Sequence, residues 1–364
     1  MYIHQLTNWP KFTWDSFKIN KLLGEIRHLQ GRLVGEMSSL GFKIQDEATL
    51  ETLTEDVVKT SAIEGENLNK EQVRSSVAKR MGIDIGILLA ADRHIEGIVA
   101  ILLDATKDYD KLLTVDRLFD WHASLFPTGR SDIKKITVAN WREKEAGAMQ
   151  VVSGALGREK VHFEAPEYDK VPNEMENFIN WFNLDTEIDL VLKAAIAHLW
   201  FLTVHPFEDG NGRIGRAIAD MLLAKSEKCG QRFYSMSSQI QKDRKHYYLQ
   251  LEKSQKGSLD ITSWIEWFLE CLKRAIEASD ITLKSILQKA KFWKTHESIS
   301  FNERQKKILN LMHDNFFGNL TSSKWAKICK CSQDTANRDI SNLLGGNILQ
   351  KEGPGGRSTS YKIV

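Results

Sequence analysis

The run from His205 to Arg216, His-Pro-Phe-Glu-Asp-Gly-Asn-Gly-Arg-Ile-Gly-Arg, constrains the fold of this chain more than any other stretch. Gly210 and Gly212 flank Asn211, three residues that tolerate positive φ and let successive backbone N–H groups converge on one point. Ile214, Ala217, Ile218, Met221 and Leu222 then recur at helical spacing and predict a helix over about 213–225. The run before it, Leu192 to Leu202, is rich in Ala and Leu and reads as a helix too. Two helices joined by a glycine turn leave the N–H groups of the second helix without intrahelical partners, which makes an anion site. Gly210 to Gly215 also fits the G-x-G-x-x-G dinucleotide pattern. That pattern needs a preceding strand, and an acidic residue at the end of the next one. The helical run before the turn, and Glu227 without a second apolar strand, argue against it.

The chemistry at the turn follows from its side chains. Arg213 and Arg216, three residues apart, share one face of the first turn and can reach different oxygens of a phosphate. Two cations at the positive end of a helix dipole oppose it unless an anion joins them. Asp209 can give one carboxylate to Mg²⁺, an ion that commonly takes one carboxylate plus substrate phosphates. His205, if neutral, can accept a proton from an incoming hydroxyl. Phe207 is expected to bury its ring and anchor the loop.

These residues carry H-P-F-x-[D/E]-G-N-G-R-x-x-R at every specified position and so resemble the Fic family. The resemblance implies transfer of AMP from ATP to a Ser, Thr or Tyr hydroxyl of a target protein. By it, His205 is the base and Asp209 holds Mg²⁺. Gly210, Asn211 and Gly212 form the anion hole, and Arg213 and Arg216 hold the outer phosphates. Upstream, Thr60, Glu64 and Gly65 resemble the family's inhibitory motif [S/T]-x-x-x-E-[G/N], implying that Glu64 pairs with Arg216 and displaces the γ-phosphate. Residues 149–154 and 159–164 read as two short strands around a glycine turn. They resemble the family's flap, with Lys160, Val161, His162 and Phe163 on its nucleotide-facing edge. After the motif, Tyr247 resembles the tyrosine of the adenine pocket, and Gln255 stands near the nucleotide; the alternative for the tyrosine is core packing. The same site in some relatives removes AMP or transfers another phosphate-containing group. A further reading, from a different class, is a DNA-binding regulator whose Fic-like part senses nucleotide.

Helical periodicity dominates elsewhere, at about 16–39, 47–63, 85–106, 113–125, 171–183, 188–203 and 264–291. Asn69, with Gln72 three residues on, has the pattern of a capping box. The fold class expected is mainly α: a Fic-type helical bundle with a small β-hairpin flap, plus a C-terminal winged helix-turn-helix. Its parts are a helical region at 1–95 carrying the inhibitory motif, a catalytic core at 96–280, a connecting helix at 281–300 and a winged helix at 301–364. In that last part ten Lys and Arg stand against five Asp and Glu, a net of +5. Its third helix offers Gln333, Thr335, Asn337 and Arg338, and its wing Lys351 and Arg357, for contact with DNA; the alternative is a winged helix used only for protein contacts.

Net charge over all 364 residues is +2, which implies no polyelectrolyte partner for the chain as a whole. Cys229, Cys271, Cys329 and Cys331 lack the spacing of a zinc site or disulfide framework and read as reduced thiols. No basic-then-apolar leader and no apolar run of membrane length occur, so the expectation is a cytoplasmic protein without a membrane partner. A homodimer is consistent with the family.

Overall fold

The computed structural model describes every residue except 87, 132, 145–146, 154–159, 314–317 and 353–358. Asp15 opens the first long helix by accepting from the N–H groups of Phe17 and Lys18; α1 runs Ser16–Ser38. α2, Phe42–Ile63, starts earlier than its apolar pattern suggests, because its first turn lies in solvent with Phe42 exposed and has no buried period to announce it. Asn69 caps α3, Lys70–Met81, through the N–H groups of Glu71 and Gln72. The expected reciprocal bond is absent: the Gln72 amide donates instead to the carbonyl of Ala90. α4, Arg93–Lys107, begins at its Asp92 cap rather than near 85. α5, Val115–Leu125, is capped by Thr114. The two meet backbone to backbone, since a Cβ on Gly97 would stand 1.8 Å from the carbonyl oxygen of Ser124.

The middle of the chain supplies α6 (Val171–Asn183), α7 (Leu190–Val204) and α8 (Asn211–Glu227). Beyond Leu190 every residue of α7 is buried, as a helix that is apolar all round demands. α8 packs along it, and Trp264 ties it to α11 by donating to the carbonyl of Ala195 at 2.7 Å. α9 (Met236–Lys242), α10 (Arg244–Lys256) and α11 (Thr262–Thr295) follow. Two short antiparallel pairs interrupt the helices: β1 (Arg130–Ser131) with β2 (Lys134–Lys135), and β3 (Gln150–Ser153) with β4 (Lys160–Glu164). The fold is mainly helical, and among the described residues no helix is long and apolar enough to cross a membrane.

The chain divides into two units, Met1–Ser279 and Asp280–Val364. Within the first, α2 is fastened by a buried polar network. Asp56 on α2 accepts from Ser235 at 2.5 Å, and Asp220 on α8 is held by Arg232 at 3.0 Å. Burial holds the Asp56 and Asp220 carboxyls above the usual range, and for Asp56 the nearby charge of Asp220 adds to it. Arg232, fully buried, is the cation that makes two such acids tolerable. Replacing Arg232 with Met is expected to cost about 3–5 kcal/mol in urea unfolding, the range for a buried pair broken on one side.

In the second unit α12 (Glu303–His313), α13 (Ser322–Cys329) and α14 (Gln333–Gly345) enclose Ile308, Leu309, Trp325, Ile340 and Leu343. Ser332 caps α14 by accepting from the Thr335 N–H at 3.2 Å. β5 (Leu349–Glu352) and β6 (Ser360–Ile363) then pair antiparallel, Leu349 opposite Ile363.

Candidate active site

Phe207 builds the site from beneath. Its buried ring stacks on His122 at 4.1 Å, and Trp141 packs against it at 5.2 Å. The loop closes over this anchor through Asn211, whose side-chain oxygen accepts from the Phe207 N–H at 3.0 Å while its amide donates to the Phe207 carbonyl at 2.8 Å. Both ends of the Asn211 side chain are thus spent on the loop, which leaves its backbone N–H as the group it could offer an anion. Gly210 has φ 82°, and a Cβ there would stand 2.9 Å from Leu125 and Phe126. It opens α8 with no side-chain cap, which leaves the first N–H groups of the helix facing outward from the turn.

His205 terminates α7 in the left-handed region at φ 50°, an uncommon conformation outside glycine. Its Nδ1 lies 3.3 Å from the carbonyl of Leu202. A carbonyl only accepts, so Nδ1 carries the proton and Nε2 the lone pair. Burial, helped by the charge of Arg142, lowers the pKa of His205 to about 4. Arg142 also clamps the loop, donating to the carbonyls of His205 at 2.9 Å and of Pro166. Neither Arg142 nor His122 had a signal in the sequence. His122, with its pKa lowered to about 4 by burial, contacts the Asp209 carbonyl through Nε2 at 3.2 Å.

Three histidines, buried His122 and His198 and partly buried His205, are thus held neutral, since burial lowers the pKa of His198 to about 3 as well. Each folded value lies below the unfolded value of about 6.5, so the neutral form stabilises the fold fully above that pH. That stabilisation is lost as pH falls from about 6.5 toward about 4. Thermal unfolding should therefore shift down over that interval, and His198→Gln should make the fall shallower.

Asp209 is half exposed at the mouth of the turn. It accepts from Ser131 and from the Gly210 N–H, and lies 3.7 Å from Arg213. Arg213 and Arg216 are only 5% and 3% exposed. Arg216 bonds Thr60 through Nε at 2.7 Å and Glu64 Oε1 through Nη2 at 2.7 Å. Arg213 bonds both oxygens of Glu66, at 3.1 and 3.2 Å. Two buried guanidinium donors, Arg213 Nε and Arg216 Nη1, have no partner among the described residues. Glu64 stands so close to the turn that a Cβ on Gly212 would fall 2.2 Å from its Oε1.

The remaining expected residues fall into two sets. Tyr247 is a core residue, 1% exposed, with its hydroxyl 2.9 Å from His198 Nε2 and its ring against Trp267. This is the core packing given above as the alternative for that residue; its neighbour Tyr248 is partly exposed, with Arg244 over its ring at 5.4 Å. Gln255 is buried and donates to the Leu202 carbonyl at 3.2 Å, the same oxygen that orients His205. On β4, Lys160 and Val161 are exposed, while Phe163 is buried against Tyr2 and His4. His162 reaches Glu252 on α10 at 2.7 Å and Ser153 at 2.6 Å, pinning the hairpin to the helix that carries Tyr248. The hairpin's turn lies outside the described residues. Among those described, no cluster of three or more His, Cys, Asp or Glu gathers for a metal, and all four cysteines are unpaired.

An uncapped helix N-terminus, two buried arginines paired with Glu64 and Glu66, and a neutral histidine on the entry loop thus converge at the start of α8. Residues 112–223 match the Fic/DOC family, and residues 2–83 match a domain of unknown function, DUF4172. The chain is a Fic family protein. A Fic family protein from Desulfovibrio desulfuricans G20 shares the fold with TM-score 0.56 and 21% identity over 98% of both chains. A Fic domain containing signaling protein from Bacteroides thetaiotaomicron gives TM-score 0.53 at 18% identity, over 71% of this chain and 96% of that one. In sequence, a probable protein adenylyltransferase of Aquifex aeolicus is 31% identical over 97 residues, 27% of this chain and 28% of its own length. Protein adenylyltransferase fic-1 of Caenorhabditis elegans is 29% identical over 177 residues, 47% of this chain and 31% of its own. The chain thus spans less than a third of the length of these two curated relatives.

Proposed function

We propose that this chain is a protein adenylyltransferase that moves AMP from ATP to a Ser, Thr or Tyr hydroxyl of a target protein and is held inactive by Glu64. The observation that carries this reading is the pair of buried arginines in the first turns of an uncapped helix, held by Glu64 and Glu66, with a neutral histidine on the entry loop. The names of the Aquifex and nematode relatives support the same activity. In the reaction the target oxygen bonds to the α-phosphorus as the bond to the β-phosphate oxygen breaks. The proton passes to His205 Nε2, and pyrophosphate leaves. Backbone N–H groups of the turn, Arg213 and Arg216 stabilise charge on the phosphates, the main work in a transfer that needs little covalent help from protein. The half-exposed carboxylate of Asp209, beside the Ser131 hydroxyl, fits the oxygen donors Mg²⁺ prefers, and the ion would neutralise phosphate charge there. Lys160 and Val161, exposed on β4, are suited to align a target segment by strand addition.

The test is intact-mass analysis of the Glu64→Gly protein incubated with ATP, Mg²⁺ and cell extract, with extract proteins followed by labelled ATP. Label carried from the adenine moiety supports the reading. Label from the γ-phosphate alone, or loss of AMP from a premodified protein, would replace it with another phosphoryl chemistry.

The second unit supports a separate proposal, a winged helix-turn-helix, from its order α12, α13, α14, β5, β6. On α14, Asn337 and Arg338 are exposed, whereas Gln333 bonds Ser322 and Thr335 bonds Ser332. Contact with DNA therefore rests on Asn337, Arg338 and the exposed Lys351, since Arg357 lies outside the described residues. A mobility shift that weakens in Arg338→Ala would support it.

A further inference from the structure

Two residues beyond Glu64, the chain puts a second carboxylate on the arginine pair. Glu66 meets Arg213 Nη1 with both its oxygens, at 3.1 and 3.2 Å, and the Phe126 ring lies 5.3 Å from the same guanidinium. A third group holds Glu66 in place. His94, on α4, puts Nε2 at 3.0 Å from Glu66 Oε2 and Nδ1 at 3.2 Å from the carbonyl of Leu125. Both acceptors lack protons to give, so only the doubly protonated imidazolium satisfies both contacts. The charged groups around the assembly are Glu66, Arg213 and, 3.7 Å beyond Arg213, Asp209.

We propose that Glu66 is a second gate on the anion site, closing Arg213 as Glu64 closes Arg216, with His94 as the residue that holds it shut. The proposal rests on the arginine pair being the phosphate site of the reaction above. It means that removing Glu64 clears only half of that site. Its sensitivity to pH follows from the contacts. The hydrogen bond to Glu66 raises the pKa of His94 against burial, while Arg213 opposes. Burial pushes the Glu66 carboxyl up, but His94 and Arg213 outweigh it and keep it ionised. As pH rises through the raised value for His94, the imidazolium loses one of its two protons and with it the positive charge beside the carboxylate, so only one of its two contacts is kept and the hold on Glu66 weakens.

Binding of inorganic tripolyphosphate and of ATP to the full chain, by calorimetry at about pH 6 and about pH 8.5, tests this across the titration of a raised histidine. In the Glu64→Gly background, adding Glu66→Gln should tighten tripolyphosphate binding at least about fivefold at the lower pH, the low end of a coupling between neighbouring sites. The gain should shrink at the higher pH. His94→Gln should give intermediate binding and remove the pH dependence of that gain; ligand titration cancels, because it is common to all variants. No gain from Glu66→Gln at the lower pH, or a gain that is the same at both pH values with His94 present, would overturn the gate. Should tripolyphosphate respond as expected and ATP not bind at all, the gate stands and the nucleotide reading falls.

Discussion

His205→Ala is expected to lower AMP transfer by about 10²–10⁴-fold, the contribution of a positioned general base, while ATP binding stays close to that of the parent. The split follows from where the ring sits. Its Nδ1 is tied to the Leu202 carbonyl, which Gln255 also holds, so the lone pair on Nε2 is fixed in direction. Asn serves as a second variant, because a side chain that fills the space without a basic nitrogen separates loss of the base from collapse of the loop. With the pKa lowered to about 4, the base is neutral throughout the working range. The parent's kcat/KM should accordingly show no inflection near the ordinary histidine value of about 6.5. Transfer retained in both variants would remove His205 from the mechanism.

Glu64→Gly should raise the rate of transfer by about 5- to 150-fold, the span of a coupling of one to three kcal/mol between two ligands of one site. Here the two ligands are the Glu64 carboxylate and the terminal phosphate, and the shared group is Arg216, bonded to Glu64 at 2.7 Å. Thr60 remains on Arg216 Nε in the variant, so the guanidinium stays aimed while one of its donors is freed. Steady-state kinetics should show the gain mainly as a lower KM for ATP. A rate at or below the parent's would mean that Glu64 supports the site instead of closing it.

The loop and its two flanking helices were legible because their signals are local. The turn glycines, the arginine spacing and the apolar periods of α7 and α8 all lie within one stretch of chain. Glu64 was legible by its motif, although the distance that gives it meaning crosses 152 residues. Glu66 stood beside it unread, since nothing in its neighbourhood indicates that Arg213 and His94, 147 and 28 residues away, converge on it. Arg142 and His122 were invisible for the same reason: each acts on backbone carbonyls brought near by the fold, and a carbonyl carries no sequence identity. Tyr247 shows a different limit. Aromatic residues at helical spacing look alike whether they face a ligand or the core, and here Tyr247 is buried while Tyr248 is partly exposed. Gln72 had the right spacing for a capping box, yet a carbonyl of the following loop outcompeted the helix start for its amide.

On the proposed reading, Glu64 and the terminal phosphate are tenants of one seat beside Gly212. Because Glu64 Oε1 occupies the volume that a Cβ on Gly212 would need, the inhibition proposed above would act through room as well as charge. Salt, which weakens attraction between exposed charges, cannot vacate a filled position. Nucleotide affinity in the intact chain is then the intrinsic affinity reduced by the fraction of molecules whose seat is open. Whatever opens α2's end in the cell, by contact or by modification, would need to carry no instruction about chemistry; it would act as an adjustable dilution of a finished enzyme.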